Sequence, residues 1–195
     1  MALGCLRLAP VLTLAALAAG PALAAVDLTD YLRPPALSAP VVSPDGRFVA
    51  VGVAANGRVN LGVIDLAERK PVPLTSFAEY DVVSYSWVGN DRLVFSVGQF
   101  NSPAVGSDGG GLFMVSRDGR ENRVLSPTVL GARAFVYRGM SHVRSVPGSD
   151  REIIAEARER SIDTVDLYRV DVTTGRKQLL TEDTPGRVIQ WILDR

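Results

Sequence analysis

A short repeat occurs three times without gaps in this chain, and it constrains the fold more than any other feature. Its copies read LGVIDLAERKPVPLT, LFMVSRDGRENRVLS and LYRVDVTTGRKQLLT, starting at Leu61, Leu112 and Leu167. In each copy a leucine is followed by a β-branched residue, then by a second leucine and a hydroxyl residue at fixed positions. A repeat that keeps four such columns in register indicates a fold built from similar units.

Polar turn-forming residues separate the apolar columns of each copy, and they predict a β-hairpin. The predicted tips are Ala67–Lys70, Arg117–Arg120 and Thr173–Arg176. The second and third tips contain a glycine, which adopts the positive φ that such turns need. The first tip has no glycine, so we expect it to use a longer loop.

An Asp-Arg or Asp-Gly-Arg motif precedes another apolar segment in every unit. It stands before FVAVGV at Asp45, before LVFSVG at Asp91 and before EIIAEA at Asp150. The proline and glycine of Ser43–Gly46 are typical of a tight turn. A further strand leads into each turn, most clearly at Val82–Val88. Each unit is therefore expected to be a four-stranded antiparallel meander.

The spacing of the units matches the blades of a β-propeller. The β-branched residues Ile64, Val115 and Val170 lie roughly 50 to 55 residues apart, which suits a four-stranded blade with generous loops. We therefore expect an all-β, partial propeller of about three blades. The expected units span about 41–76, 82–127 and 133–182.

The motif that opens each blade recurs at the end of the chain. Asp194 and Arg195 are the last two residues, and Trp191 precedes them much as Trp87 precedes Asp91. The sequence therefore predicts the start of a further blade at 186–195.

The first two dozen residues have the pattern of a secretory signal. Arg7 precedes an apolar run from Leu8 to Ala18, and Ala22–Ala24 fits the small-x-small pattern of a cleavage site. The run is short for a membrane span. We expect a signal peptide at 1–24, a mature domain at 25–195 without membrane attachment, and a periplasmic or secreted location. The single cysteine, Cys5, would leave with the signal, so no disulfide is expected.

The charge pattern argues against two classes of partner. Lys plus Arg and Asp plus Glu both number 21, and no stretch concentrates one sign. Nucleic acids and anionic membranes are usually bound through a basic stripe. We therefore expect neither as a partner.

Four segments carry a family resemblance: YLRP from Tyr31, VVSPDGRFVAV from Val41, LGVIDL from Leu61 and YSWVGNDRLVFSV from Tyr85. Together they resemble the opening of bacterial S9 serine peptidases of the prolyl oligopeptidase or dipeptidyl peptidase kind, over about 27–195. In that family a seven- or eight-bladed propeller covers an α/β-hydrolase domain and admits only peptide-sized substrates. The resemblance implies that this chain gates and selects peptide substrates for such a domain.

The catalytic pattern of that family is not found in the sequence. An α/β-hydrolase places its serine on a G-x-S-x-G turn, with an acid and a histidine later in the chain. Gly139, Met140 and Ser141 come nearest, but Val143 replaces the second glycine, and His142 would point to the opposite face of a strand from Ser141. We predict no catalytic, cofactor-binding or metal-binding residue and no cofactor, and we assign the hydrolase domain to sequence outside this chain.

Two other functions are open at this stage. Ser-Pro-Asp-Gly-Arg turns also occur in TolB-type periplasmic propellers, which are binding modules with protein partners and no catalysis. A metal-dependent propeller enzyme would instead ring a calcium ion with Asp45, Asp91, Asp150 and Asp194. The recurrence of these carboxylates at one point of every repeat favours a structural turn, in which they accept hydrogen bonds from backbone donors.

Other conspicuous residues are expected to be structural. His142 is the only histidine and has no visible catalytic partners. The glycine-rich stretch 106–111 leads into a strand and is interpreted as a flexible loop at the substrate-facing mouth, not as a phosphate site. We expect Trp87 and Trp191 to pack between blades.

Glu156 and Glu159 are candidates for binding a peptide N-terminus, a role known in the same family. Acidic propeller residues bind the peptide N-terminus in its dipeptidyl peptidases. Solvated strand positions explain Glu156 and Glu159 better, because their match to that motif is loose.

Three blades form an open arc with unpaired strand edges and exposed apolar flanks. We therefore expect this polypeptide to self-associate or aggregate unless further sequence follows Arg195. Truncation of a longer gene is the simplest explanation for a propeller of only three expected blades.

Overall fold

The computed structural model describes residues 36–99, 110–128, 139–183 and 186–194. The predicted signal peptide at 1–24 and the YLRP segment lie outside these ranges, and so do four of the six residues of the glycine-rich stretch. Within the described ranges every regular element is a β-strand. No helix in this part of the chain has the length and hydropathy needed to cross a membrane.

The strands pair in chain order as three four-stranded antiparallel sheets. The first sheet contains β1 (Leu37–Val42), β2 (Phe48–Ala55), β3 (Arg58–Asp65) and β4 (Lys70–Pro73). The second contains β5 (Asp81–Val88), β6 (Arg92–Gly98), β7 (Leu112–Ser116) and β8 (Asn122–Ser126). The third contains β9 (Met140–Ser145), β10 (Glu152–Ser161), β11 (Thr164–Asp171) and β12 (Lys177–Leu179). The prediction of three four-stranded antiparallel meanders is confirmed.

The second sheet is covered on both faces, and its sequence reflects this in a run of consecutive apolar residues. Leu93 and Phe95 in β6 belong to an apolar cluster shared with the first sheet. Val94, between them, belongs to a cluster shared with the third sheet. Successive side chains point to opposite faces of a strand, so all three are buried because both faces are packed. Each such burial stabilises the fold by about 1.5–3 kcal/mol.

The hydroxyl residue at the end of each repeat accepts a backbone hydrogen bond from its own sheet or from the next one. Thr75 Oγ1 accepts the backbone N–H of Leu61 at 2.8 Å, and Thr181 Oγ1 accepts that of Leu167 at 3.1 Å. Ser126 Oγ instead accepts the N–H of Met140, the first residue of the third sheet, at 3.1 Å. The repeat keeps a hydroxyl here because it satisfies a backbone donor that the strand pairing leaves free.

All three predicted hairpins form, but the tip of the first hairpin is built differently from the expectation. Gly119 and Gly175 adopt positive φ angles of 74° and 76°. In the first tip Arg69 occupies the left-handed region instead, at 53°, and Asp65 Oδ1 accepts two backbone N–H groups of the tip. The expectation of a longer first loop is wrong, because 66–69 is one residue shorter than the other tips.

Two turns in different sheets use the same hydrogen-bond network. Between β1 and β2, Ser43 Oγ donates to Asp45 Oδ1 at 2.6 Å and accepts the N–H five residues later at 3.0 Å. Between β7 and β8, Ser116 Oγ donates to Asp118 Oδ1 at 2.6 Å and accepts the equivalent N–H at 2.9 Å. These serine hydrogen bonds, above all, hold the pKa of both carboxyls below its usual value. Ser-x-Asp-Gly-Arg is therefore a self-contained turn.

Residues 186–194 form no regular strand but run beside the third sheet. The carbonyl of Val188 accepts the N–H of Val165 at 2.7 Å, and Trp191 Nε1 donates to the carbonyl of Val165 at 2.7 Å. The start of a further blade at 186–195 stays a prediction.

Candidate functional site

A cavity of about 380 Å³ lies between the second and third sheets. It sits near the start of β5 and β9 and the end of β6, away from the turn that joins β5 to β6. Its lining residues are Val83, Ser84, Tyr85, Ser86, Val94, Phe95, Ser96, Gly110, Gly111, Leu112, Ser141 and His142. None of these residues is charged at neutral pH.

Serine hydroxyls on β5 and β6 supply most of the polar groups of this cavity. Ser84 pairs with Ser96 and Ser86 with Val94, and Val94 belongs to the apolar cluster shared with the third sheet. The serines therefore share the face of the second sheet that looks toward the third. The hydroxyls of Ser84 and Ser96 are 2.6 Å apart and hydrogen-bonded to each other.

His142 brings an imidazole to the cavity from the third sheet. It pairs on β9 with Ala155, which is fully buried in the cluster between the two sheets. Its Nε2 atom is enclosed and has no hydrogen-bond partner among the residues that the structure describes. Burial lowers the pKa of His142 to about 4, so the ring is neutral at physiological pH. The imidazole therefore lines the cavity without adding charge to it.

Gly111 shapes the edge of the cavity where β7 begins. Its φ is +81°, and a Cβ there would lie 2.9 Å from the Phe113 ring and 3.0 Å from the backbone nitrogen of Thr128. A larger residue would therefore force the backbone apart. Gly110 and Gly111 are the described part of the glycine-rich stretch 106–111, so its interpretation as a mouth loop stays a prediction.

Ser141 and His142 do not form a nucleophile and base pair. They are successive residues of β9, where Ser141 pairs with Glu156 and His142 with Ala155. Adjacent strand residues point to opposite faces, and no hydrogen bond joins the two side chains. Serine–histidine chemistry requires that hydrogen bond.

The two tryptophans differ in their packing. Trp87 is 5% exposed and lies in the apolar cluster shared by the first and second sheets, so the prediction that it packs between blades is confirmed. Trp191 is half-buried and contacts the third sheet through its indole N–H.

The two glutamates of β10 also differ. Glu159 is exposed and forms an ion pair with Lys177 of β12, whereas Glu156 is half-buried. Glu159 is thus held at the sheet surface by a cation of the same sheet. Neither residue lines the cavity between the second and third sheets, called the serine cavity below after Ser84, Ser86 and Ser96.

The recurrent aspartates do not share one structural role. Asp45 accepts the backbone N–H of Arg47 at 3.1 Å, as the turn prediction requires. At Asp91 that prediction is wrong, because its carboxylate accepts a hydrogen bond from the Arg117 guanidinium at 2.8 Å. In the turn before β10, Ser149 Oγ takes the place predicted for Asp150. It accepts the backbone N–H of Glu152 at 3.1 Å. Among the residues that the structure describes, no three His, Cys, Asp or Glu side chains are grouped as metal ligands would be.

Solved structures with a similar backbone are propeller proteins. Oligogalacturonate lyase in complex with manganese matches with a TM-score of 0.55 and 12% identity, over 76% of this chain and 43% of that protein. Acylaminoacyl peptidase in complex with Z-Gly-Gly-Phe-chloromethyl ketone matches with a TM-score of 0.50 and 15% identity, over 76% of this chain and 25% of that protein. TolB from Acinetobacter baumannii has a TM-score of 0.47 and 15% identity, over 75% of this chain and 32% of that protein.

The likeness to the first two structures establishes the fold. The predicted partial β-propeller is confirmed, and the chain spans less than half the length of each of these three proteins. No protein-family model matches the chain, and no curated protein matches it in sequence.

Proposed function

We propose that this chain is the front portion of the propeller of an exported S9-type serine peptidase. Its role would be to select and admit peptide substrates for an α/β-hydrolase domain carried elsewhere in the protein. The sequence resemblance in 41–51 and 85–97 supports this assignment, and the propeller fold is compatible with it. One structural neighbour, acylaminoacyl peptidase, is bound to a peptide chloromethyl ketone.

The observation that carries the proposal is the uncharged, hydroxyl-lined cavity between the second and third sheets. A peptide bond presents one N–H donor and one C=O acceptor, and burying either without a partner costs about 2–7 kcal/mol. Serine hydroxyls donate and accept, so Ser84, Ser86 and Ser96 can pair with either group. The neutral ring of His142 adds no charge to this lining.

The described lining residues of this cavity carry no charge, and this predicts which side chains it accepts. A charged side chain that entered it would lose its hydration and meet no opposite charge among the described lining residues. Apolar surface from Val94 and Leu112 lies next to the hydroxyls. We therefore expect the cavity to admit backbone and small neutral side chains and to reject acidic and basic ones.

A binding experiment on the full chain tests this role. The ligand is an acetylated and amidated neutral hexapeptide, and the variant is Ser86→Leu, which fills the cavity from a half-buried position. The matched control is Ser76→Leu, at an exposed position outside the cavity. We expect Ser86→Leu to weaken binding about tenfold, which corresponds to about 1.4 kcal/mol, and Ser76→Leu to change it less than twofold.

Two results would overturn the proposal. One is binding that Ser76→Leu weakens as much as Ser86→Leu. The other is an absence of saturable peptide binding, and a TolB-like binding module with protein partners would then be the better assignment.

A further inference from the structure

A second groove lies at the opposite end of the second sheet from the serine cavity. Its volume is about 700 Å³. It runs between the tip that joins β7 to β8 and the turns of the third sheet. Its charged lining residues are Arg92, Arg120, Arg123, Arg151, Glu121 and Asp150. Two further carboxylates lie beside these arginines, Asp118 at 3.6 Å from Arg120 and Asp171 at 3.8 Å from Arg151, so the groove is rich in charge of both signs.

The guanidinium groups of this groove are poorly paired. Arg92 lies 3.8 Å from Glu121 and Arg151 lies 3.8 Å from Asp171, distances too long for a hydrogen bond. Arg120 reaches its own turn carboxylate only at 3.6 Å. The Arg123 side chain forms no hydrogen bond or ion pair in the described part of the chain. By contrast, Arg117 on the same tip is 2.8 Å from Asp91.

Arg92 is incompletely hydrogen-bonded in this groove. Its Nε atom is buried and has no hydrogen-bond partner among the described residues, although its side chain is 23% exposed. An unsatisfied buried donor costs about 1–3 kcal/mol, and more when it carries charge. The terminal nitrogens of the same guanidinium carry further N–H donors for a ligand oxygen.

We propose that this groove binds a ligand with an oxyanion group, either a carboxylate or a phosphate. Each guanidinium offers five N–H donors in a planar fork that matches the oxygens of both groups. The site is separate from the serine cavity, so it would recognise a different part of a substrate or a separate anionic ligand.

Titration of the full chain at low ionic strength tests the groove. Inorganic phosphate and succinate are the two probes, and isothermal calorimetry is the readout. We expect saturable binding of one or both, and the tighter probe identifies phosphate or dicarboxylate as the preferred source. Arg123→Gln should weaken binding about tenfold. Arg69→Gln, which removes the same charge from an exposed position outside the groove, should change it less than twofold.

A second readout does not depend on any variant's folding. The Nε–Hε resonance of Arg92 in a ¹⁵N-labelled chain should shift in a saturable manner on addition of the tighter probe. The proposal is overturned if neither probe binds saturably, if Arg69→Gln weakens binding as much as Arg123→Gln, or if the Arg92 resonance does not respond.

Discussion

The indole Nε1 of Trp87 donates a hydrogen bond to the carbonyl of Val41 at 2.9 Å, across the junction of the first and second sheets. The rest of the Trp87 side chain is buried beside Phe48 and Leu93. From the other side, Ser145 Oγ of the third sheet donates to the carbonyl of Trp87 at 2.6 Å. One residue of β5 therefore contacts all three sheets.

Replacing Trp87 tests its role at this junction. Trp87→Phe removes the indole N–H and part of the buried volume, so we expect the free energy of unfolding to fall by about 2 kcal/mol. Trp191→Phe is the matched control, because it loses a similar hydrogen bond from a half-buried position. Its loss should be smaller, about 1 kcal/mol. Equal losses in urea denaturation would contradict the assigned role of Trp87.

The hydroxyl column of the repeat predicts a second stability effect. Thr75 Oγ1 accepts the N–H of Leu61 and donates to Asn60 Oδ1 at 2.9 Å. Thr75→Val keeps the shape but leaves a buried donor unpaired, so we expect a loss of about 1–3 kcal/mol and faster hydrogen exchange at the Leu61 amide. Thr75→Ser retains the hydroxyl and should leave that amide protected. Unchanged exchange in the valine variant would rule out this role for the hydroxyl.

Alanine variants of Gly46 and Gly89 distinguish the cost of backbone strain from the cost of a steric clash. Gly46 and Gly89 have φ of +73° and +61°, but only at Gly89 would a Cβ meet another residue, 2.8 Å from the Cα of Asp150. Gly46→Ala should therefore destabilise by about 1 kcal/mol, from the left-handed backbone alone. Gly89→Ala should destabilise by about 3 kcal/mol, because the turns of the second and third sheets must also separate. Thermal unfolding of both variants measures the difference, and similar melting temperatures would be inconsistent with the Asp150 contact.

His142 predicts a specific pH dependence of stability. The unfolded imidazole binds a proton near pH 6.5 and the folded one only near pH 4, so acidification through this window favours the unfolded state. The free energy of unfolding should fall by about 2 kcal/mol between pH 7 and pH 4.5. The lowered pKa values of Asp45 and Asp118 act only below about 4. His142→Gln should flatten this slope, and a slope that persists in the variant would show that another group is responsible.

The strand pattern and the hydroxyl column could be predicted from the sequence because both are local and periodic. The repeat places Thr75 at a constant distance from Leu61, and the turn chemistry of Ser43 and Asp45 is contained within one short segment. The position of Arg69 in the left-handed region could not be predicted, because an ordinary side chain gives no sign that it adopts that conformation.

The candidate sites were missed for a different reason. The serine cavity brings together β5, β6, β7 and β9, and single serines on a strand are indistinguishable from solvated ones until the pairing is known. Two sequence features point to this cavity, the isolated His142 and the glycine-rich stretch 106–111, and neither indicates which strands lie beside it. Likewise, Arg92 and Arg151 come from different sheets and meet in one groove only after folding. The net charge of zero for the whole chain gives no sign of such a local cluster.

The most direct test of the peptidase proposal is the mass and serine reactivity of the native gene product in the cell envelope fraction. An antibody raised against residues 27–195 would capture the protein, and a fluorophosphonate probe would label an active serine. We expect a labelled species that is heavier by the remaining blades and a hydrolase domain of roughly 250 residues. A stable, unlabelled species with the mass of residues 25–195 would contradict the proposal and indicate a small propeller module that binds without catalysis.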